Sequence, residues 1–235
     1  MALAKYGGGI IQLSGSIAGN VFARNKMGNY VRPRTKPVNP HSSRQEAART
    51  IMSYLAELWH TSAMADHRGN WENYAAALAM KNRLAEAIHL TGYNHFIRSN
   101  CAQMCMGETE ILPAPTIQSL PEKDPLLVCT EEDILGQTFT FTCGVEGWTP
   151  NNDSKFGIMI AQGQPKLASR NTFHGPWRYM DFIDATEGAA GTGTLNASFD
   201  FVVDQKVWFQ ARVITVAGRL SEPWQLDPRD IEADV

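Results

Sequence analysis

The sequence predicts an α+β protein in three parts: an extended basic N-terminal arm, a small helical region and a C-terminal antiparallel β-sandwich. Three observations carry this reading. Residues 1–45 hold seven Lys or Arg and no Asp or Glu, with six glycines and three prolines. Residues 43–107 place apolar side chains at helical spacing. Residues 113–226 alternate apolar and polar positions in short runs separated by Gly, Asn and Pro clusters. The divisions are 1–42 for the arm, 43–107 for a helical docking region, 108–125 for a linker and first edge strand, and 126–235 for the sandwich.

At 235 residues, 43% hydrophobic and 19% charged, the chain has the composition of a globular protein with ample length for a core. No apolar run is long enough for a membrane helix, and the start lacks the apolar stretch of a signal peptide. The expectation is a protein made in the cytoplasm and not bound to a membrane. The net charge of −3 is unevenly spread. Residues 46–112 carry five basic and seven acidic side chains, and residues 113–235 carry nine basic and seventeen acidic ones. A basic arm therefore precedes an acidic body. An arm so rich in Gly and Pro has no plan for a core of its own and takes its order from a neighbour.

The first helix is expected after Pro40, where Ser43-Arg44-Gln45-Glu46 reads as a capping box. Ala47, Ile51, Leu55 and Leu58 continue at helical spacing to about Thr61. A second helix is expected over 63–79, with Trp71, Tyr74, Ala75 and Leu78 on one face. Residues 82–90 read as a short helix or an irregular link. The last helix begins near Thr91 and stops near Gly107. Its Cys101 and Cys105 lie one turn apart and read as packing residues. Four prolines between 113 and 125 mark the linker. Strands are expected at 138–143, 156–161, 178–183, 195–203 and 206–216, with turns at 147–154, 163–165, 174–176 and 188–193. Cys129 and Cys143 fall within this zone and read as free thiols.

The sequence holds no constellation with both the residue types and the spacing of a catalytic centre. There is no phosphate-binding loop: Gly7-Gly8-Gly9 is followed by Ile10-Ile11-Gln12, which lacks the Lys and hydroxyl that contact phosphate and magnesium. There is no nucleophile elbow and no zinc-protease helix. The six histidines are scattered. Asp181 and Asp184 read as solvated carboxylates. The expectation is no enzyme activity, no cofactor and no metal.

The arm is the one site-like feature. Its candidate contact residues are Tyr6, Phe22, Arg24, Lys26, Tyr30, Arg32, Arg34 and Lys36. Arg32-Pro33-Arg34 favours an extended backbone, with Val31, Pro33 and Thr35 facing one way and Arg32, Arg34 and Lys36 the other. Three readings stand open: docking on an acidic protein surface, including another copy of this chain; phosphate contact with nucleic acid; and a solvated tail. The acidic body repels nucleic acid at long range, which favours docking.

The stretch Gly9-Ile10-Ile11-Gln12-Leu13-Ser14-Gly15-Ser16-Ile17-Ala18-Gly19-Asn20-Val21-Phe22-Ala23-Arg24, followed by Gly28-Asn29-Tyr30-Val31-Arg32-Pro33-Arg34 and by Pro37-Val38-Asn39-Pro40 and Gln45, resembles the N-terminal signature of a family of tailed-phage and prophage proteins. In that family the arm leads into a Trp- and Tyr-containing helical segment, as at Trp59, Trp71 and Tyr74, and then an Asn-containing helix, as at Thr91–Asn100. The resemblance covers about the first 100 residues. It implies a structural virion protein and no catalytic residues.

The segment Val207-Trp208-Phe209-Gln210-Ala211-Arg212-Val213-Ile214-Thr215, then Ala217-Gly218-Arg219-Leu220-Ser221-Glu222-Pro223, is similar to the last two strands of a fibronectin type III or related immunoglobulin-like module. It departs from that pattern in having no Trp on an early strand, since Trp148 sits beside a turn. Together the resemblances imply a capsid-associated phage protein (minor capsid, decoration or cement) located in the virion. Its partners would be other virion proteins and other copies of itself in a symmetric assembly. The alternatives are a neck or tail component and a DNA-binding protein that uses the arm.

Overall fold

The computed structural model describes residues 2–5, 7–10, 12–25, 28–36, 38–82, 84–148 and 154–232. The protein mixes helices with several antiparallel sheets, as an α+β chain does.

The N-terminal segment is not one extended arm. It folds back on itself as β1 (Ala2–Leu3), β2 (Gly15–Ile17), β3 (Asn20–Asn25) and β4 (Gly28–Pro33), an antiparallel sheet in the order β1-β4-β3-β2. Ile17 pairs with Asn20 across the two-residue turn Ala18-Gly19, whose φ angles are 46° and 82°. Two successive positive φ values give a turn whose twist matches that of the strands it joins. The short alternation around Val21-Phe22-Ala23 and Asn29-Tyr30-Val31 then pairs in register.

α1 runs over Ser43–His60, one 3₁₀ turn covers Ser62–Met64, and α2 spans Ala65–Ala77. The Ser43–Glu46 capping box does not form. Ser42 is the N-cap, with no side-chain bond, and its carbonyl accepts the Glu46 N–H at 3.0 Å. Residues 79–89 are neither helix nor irregular link but a hairpin of β5 (Ala79–Lys81) and β6 (Ala87–His89). Asn82 causes this. Its Oδ1 accepts the N–H groups of Leu84 and Glu86 at 2.8 and 3.0 Å, so the backbone turns instead of winding on.

α3 (Gly92–Cys105) is capped by Thr91, whose hydroxyl accepts the Asn94 N–H at 3.3 Å. Gly92 is required for close packing: a Cβ there would lie 2.6 Å from the Glu72 nitrogen. Gly107, at φ 81°, follows the helix in the left-handed conformation. Leu55, Trp59, Met64, Trp71, Tyr74, Leu78 and Phe96 fill the core of this helical region.

The β body has two antiparallel sheets facing across one core. One is β12 (Thr192–Asn196), β8 (Thr138–Thr142) and β7 (Val128–Asp133), in that order. The other is β11 (Trp177–Ile183), β9 (Lys155–Gly163), β14 (Phe209–Thr215) and β15 (Trp224–Gln225). The strict alternation of Thr138–Thr142 sends Phe139 and Phe141 inward. Both rings meet Phe209 of the opposite sheet edge-on, at 4.9 and 5.1 Å between centroids. A small third sheet joins β10 (Lys166–Leu167), β13 (Gln205–Val207) and β16 (Arg229–Asp230).

Four expectations change here. The strand expected over 206–216 breaks at Trp208 into β13 and β14, which pair in different sheets. The strand expected over 195–203 ends at Asn196, because the backbone beyond it is bonded to side chains. Buried Gln162 accepts the Ser198 and Phe199 N–H groups and donates to the Phe199 carbonyl. Gln137 does the same for Phe201. The turn expected at 188–193 is instead the end of a short helix α4 (Ala185–Ala190) and the start of β12. Asp184 is not a free solvated carboxylate but the N-cap of α4, accepting the Thr186 and Glu187 N–H groups at 2.8 Å each.

Residues 108–126 are a strap held from both sides. Fully buried Asn100 bonds both the N–H and the C=O of Ile111, and the Trp71 indole N–H donates to the Leu112 carbonyl. On the other side Arg219 donates to the Ser119 carbonyl. Asp124, with its side chain 1% exposed, takes the N–H groups of Leu126 and Gly144 and the Lys155 ammonium at 2.6 Å. α3 closes the assembly by packing Ala102 and Met106 on Ile214 and Leu220, at the outer face of the β14 sheet.

All four cysteines are free thiols. Burial pushes the Cys129 thiol up to about 12, with Arg229 acting weakly in the opposite sense and Glu132 adding to the rise.

Two outcomes follow from buried polar groups. Asp124→Ala leaves Lys155 and two backbone N–H groups without their acceptor, and urea denaturation should show a loss of about 3 kcal/mol. His95 is 1% exposed, with neither ring nitrogen hydrogen-bonded to a described residue, and desolvation, followed by Arg98, lowers its pKa to about 4. The unfolded chain therefore binds a proton that the folded chain refuses between about pH 6.5 and 4, so stability falls as pH drops through that window. His95→Phe should remove a pH-dependent loss on the order of 2 kcal/mol, read as a flatter Tm against pH over that range.

Candidate functional site

Four of the candidate contact residues, Phe22, Arg24, Tyr30 and Arg32, lie on a sheet whose described side chains are at most partly buried. Before Leu55 no described residue is buried. Cross-strand partners share a face, and neighbours along a strand alternate. The pairs Phe22 with Val31, Arg24 with Asn29, and Ala2 with Val31 set one face. The pairs Val21 with Arg32, Ala23 with Tyr30, and Leu3 with Tyr30 set the other. Phe22 and Arg24 thus stand on the opposite face from Tyr30 and Arg32. The alternation expected at Val31, Arg32 and Pro33 is present within β4. Arg34 and Lys36 lie beyond the last strand and are exposed, the Arg34 N–H bonding the Gly19 carbonyl at 2.6 Å. Tyr6 and Lys26 lie outside the described residues.

Both faces therefore join apolar side chains to guanidinium groups, and Ile17 at one edge is 61% exposed. Fixing this backbone costs about 1–2 kcal/mol per residue, and no buried core offsets it. Small sheets need an apolar face packed on something. One ion pair ties the sheet to the body: Lys5 Nζ lies 2.6 Å from Glu86 Oε1, in the loop between β5 and β6. Hydrogen bonds from Lys5 and then Asn82 hold the Glu86 carboxyl below its usual range. The pair is exposed and adds little to stability.

Lys5 was not among the sequence candidates, and neither was Arg44, which reaches the Tyr179 carbonyl at 3.5 Å. No local signal marks either residue, because both partners are distant in sequence. The paired strands, in contrast, had a local signal in the Ala18-Gly19 turn flanked by alternating residues. Among the described residues no three His, Cys, Asp or Glu side chains cluster as metal ligands. No described helix is long and apolar enough to cross a membrane.

No family model matches this chain, and no curated protein matches it. Among solved structures, the twitchin kinase region from C. elegans (Fn31-NL-kin-CRD-Ig26) is similar at 14% identity with a TM-score of 0.32. The likeness covers 49% of this chain and 17% of that one. A likeness of this size carries no argument about fold or function.

Because the sheet contributes no buried side chain, deleting residues 1–36 should leave the melting temperature of the remainder unchanged in calorimetry. Limited trypsin treatment of the free protein should cut first after Arg24 or Arg34, with the rest of the chain surviving as one fragment.

Proposed function

We propose that the protein is a structural component of a tailed-phage virion, capsid-associated in a minor capsid, decoration or cement role. Its basic N-terminal sheet docks between neighbouring subunits. One observation carries this reading: a four-stranded sheet, within a segment of seven cations and no anions, buries none of its side chains fully yet heads an acidic body. The missing half of its packing is a partner surface, and the charge of that surface must be negative. The body of another copy has that charge. With one guanidinium-bearing face on each side, the sheet suits insertion between two such surfaces better than adhesion to one. The N-terminal resemblance to tailed-phage proteins points to the same setting.

The β body is read as a fibronectin type III-like module. The strand orders β12-β8-β7 and β11-β9-β14-β15 support this, since an immunoglobulin constant-type module would place the fourth strand on the first sheet. Trp148, beside its turn, is buried in the core with its indole N–H on the Gly144 carbonyl at 2.8 Å, and supplies an aromatic anchor the sequence pattern lacked. Fold likeness alone says little of role, so the assembly reading rests on the sheet. A neck or tail position is a second location for the same docking.

Deleting residues 1–40 should leave a folded body that no longer incorporates into particles, as seen by gradient sedimentation and immunodetection. Normal incorporation would reject the reading. The competing DNA-binding reading requires retention on DNA-cellulose at about 50 mM salt that disappears steeply as salt rises. We expect no such retention.

A further inference from the structure

α3 covers only part of the outer face of the β11-β9-β14-β15 sheet. Beside it lies a groove of about 320 Å³ into which Arg98 of α3 and Arg212 of β14 both project. The size is at the small end of ligand pockets. On β14, Phe209, Ala211 and Val213 face the core, which leaves Arg212 on the outer face. Arg98 donates to the Ser221 carbonyl at 2.8 Å. Arg212 makes no hydrogen bond and no ion pair with any described residue. Neither arginine has a described carboxylate at ion-pair distance. Glu222 acts on Arg98 only through its field, and Asp181 lies on the side of Tyr179.

The arrangement is costly as it stands. Desolvation first and Arg212 second lower the Arg98 pKa to about 10, and burial also lowers that of Arg212. Two half-buried like charges, one of them with no partner, oppose folding unless something compensates them. The Tyr179 hydroxyl at the same groove is buried with no partner among the described residues, and burial raises its pKa, so it stays a neutral O–H donor. The floor is apolar, from Ala102, Met159 and Leu220. Two donors that lack a described acceptor, Arg212 and the Tyr179 hydroxyl, thus lie beside Arg98, which has only the Ser221 carbonyl, over an apolar base, a combination that hydrophobic packing does not require.

We propose that this groove binds a small organic oxyanion, a carboxylate or a phosphate monoester on a short apolar body. The two guanidinium forks take the oxyanion, the Tyr179 O–H donates to it, and the apolar body lies on Ala102 and Met159. Guanidinium groups match carboxylate and phosphate in bidentate geometry, which the point charge of a lysine does not. The site is independent of the docking sheet and does not rest on the assembly reading.

Isothermal titration of the full chain with phenyl phosphate and with benzoate should show saturable one-to-one binding. Benzamide, of the same shape but neutral, should not bind. Response to phenyl phosphate without benzoate would assign the source as a phosphate ester, and the reverse a carboxylate. Arg212→Met should weaken binding about tenfold or more, from the loss of a charge-assisted bond. It should also raise the melting temperature of the ligand-free protein, because it removes an uncompensated charge; a purely structural arginine would lower it. Arg212→Lys keeps the charge and loses the fork, so it should weaken binding while folding normally, which keeps the test open if the Met variant misfolds. The proposal is overturned by equal binding to benzamide, by undiminished binding in both variants, or by no binding of either anion. It is also overturned if both guanidinium NMR signals respond only to rising protein concentration, which would place an acidic segment of a second copy in the groove.

Discussion

Between the helical region and the β body the chain must run for nearly twenty residues as a strap, and its backbone N–H and C=O groups have no ladder to pair with. Burying such groups unpaired is expensive. Side chains from both flanks supply the partners. Asn100 and Trp71 hold Ile111 and Leu112, Arg219 holds Ser119, and Asp124 gathers Leu126, Gly144 and Lys155. The position of α3 on the β14 sheet depends on these bonds, because Asn100 lies on α3 and Arg219 lies on the turn after β14. What reads as a linker is therefore the part of the molecule that fixes the two halves against each other. The groove beside α3 exists because that placement leaves part of the sheet uncovered.

The N-terminal sheet shows the opposite condition. Its strands satisfy one another's backbone groups, yet none of its described side chains is fully buried. Hydrogen bonds alone give little net stability, since the unfolded strand bonds equally well to water. The contrast between a body that buries Phe139, Phe141 and Phe209 completely and a sheet that leaves Phe22 and Tyr30 only partly buried is the physical basis for assigning the sheet to a partner. The Arg98–Arg212 groove is a second place where the fold leaves a requirement unmet, this time electrostatic. Natural proteins tolerate such local conflicts mainly where they serve binding.

Several elements were legible because their causes are local. The charge division at residue 45, the helical spacing from Ala47 to Leu58, the Thr91 start and Gly107 stop of α3, and the alternation of Thr138–Thr142 all appear in the structure where the residues placed them. The eight candidate arm residues were less legible. Six lie among the described residues, and the division of four of them between two faces of a sheet followed from a turn at Ala18-Gly19 that charge and glycine content do not reveal. The hairpin at Asn82 had only a single side chain to announce it, and an Asn is as common in a loop as in a turn of this kind.

By itself the sequence determined where the charge sits, which segments wind or alternate, and that a basic, core-less segment heads an acidic body. These depend on neighbours within a few residues. Only the tertiary structure decided that the arm doubles back into a sheet, that residues 197–203 leave their strand to bond Gln137 and Gln162, and that the strap is pinned rather than free. It alone also brought Arg98 and Arg212 to one groove. Each of those outcomes is a bond or contact between groups tens of residues apart or more, or a pairing whose register the chain must fold to find. Composition and periodicity carry no record of such distances.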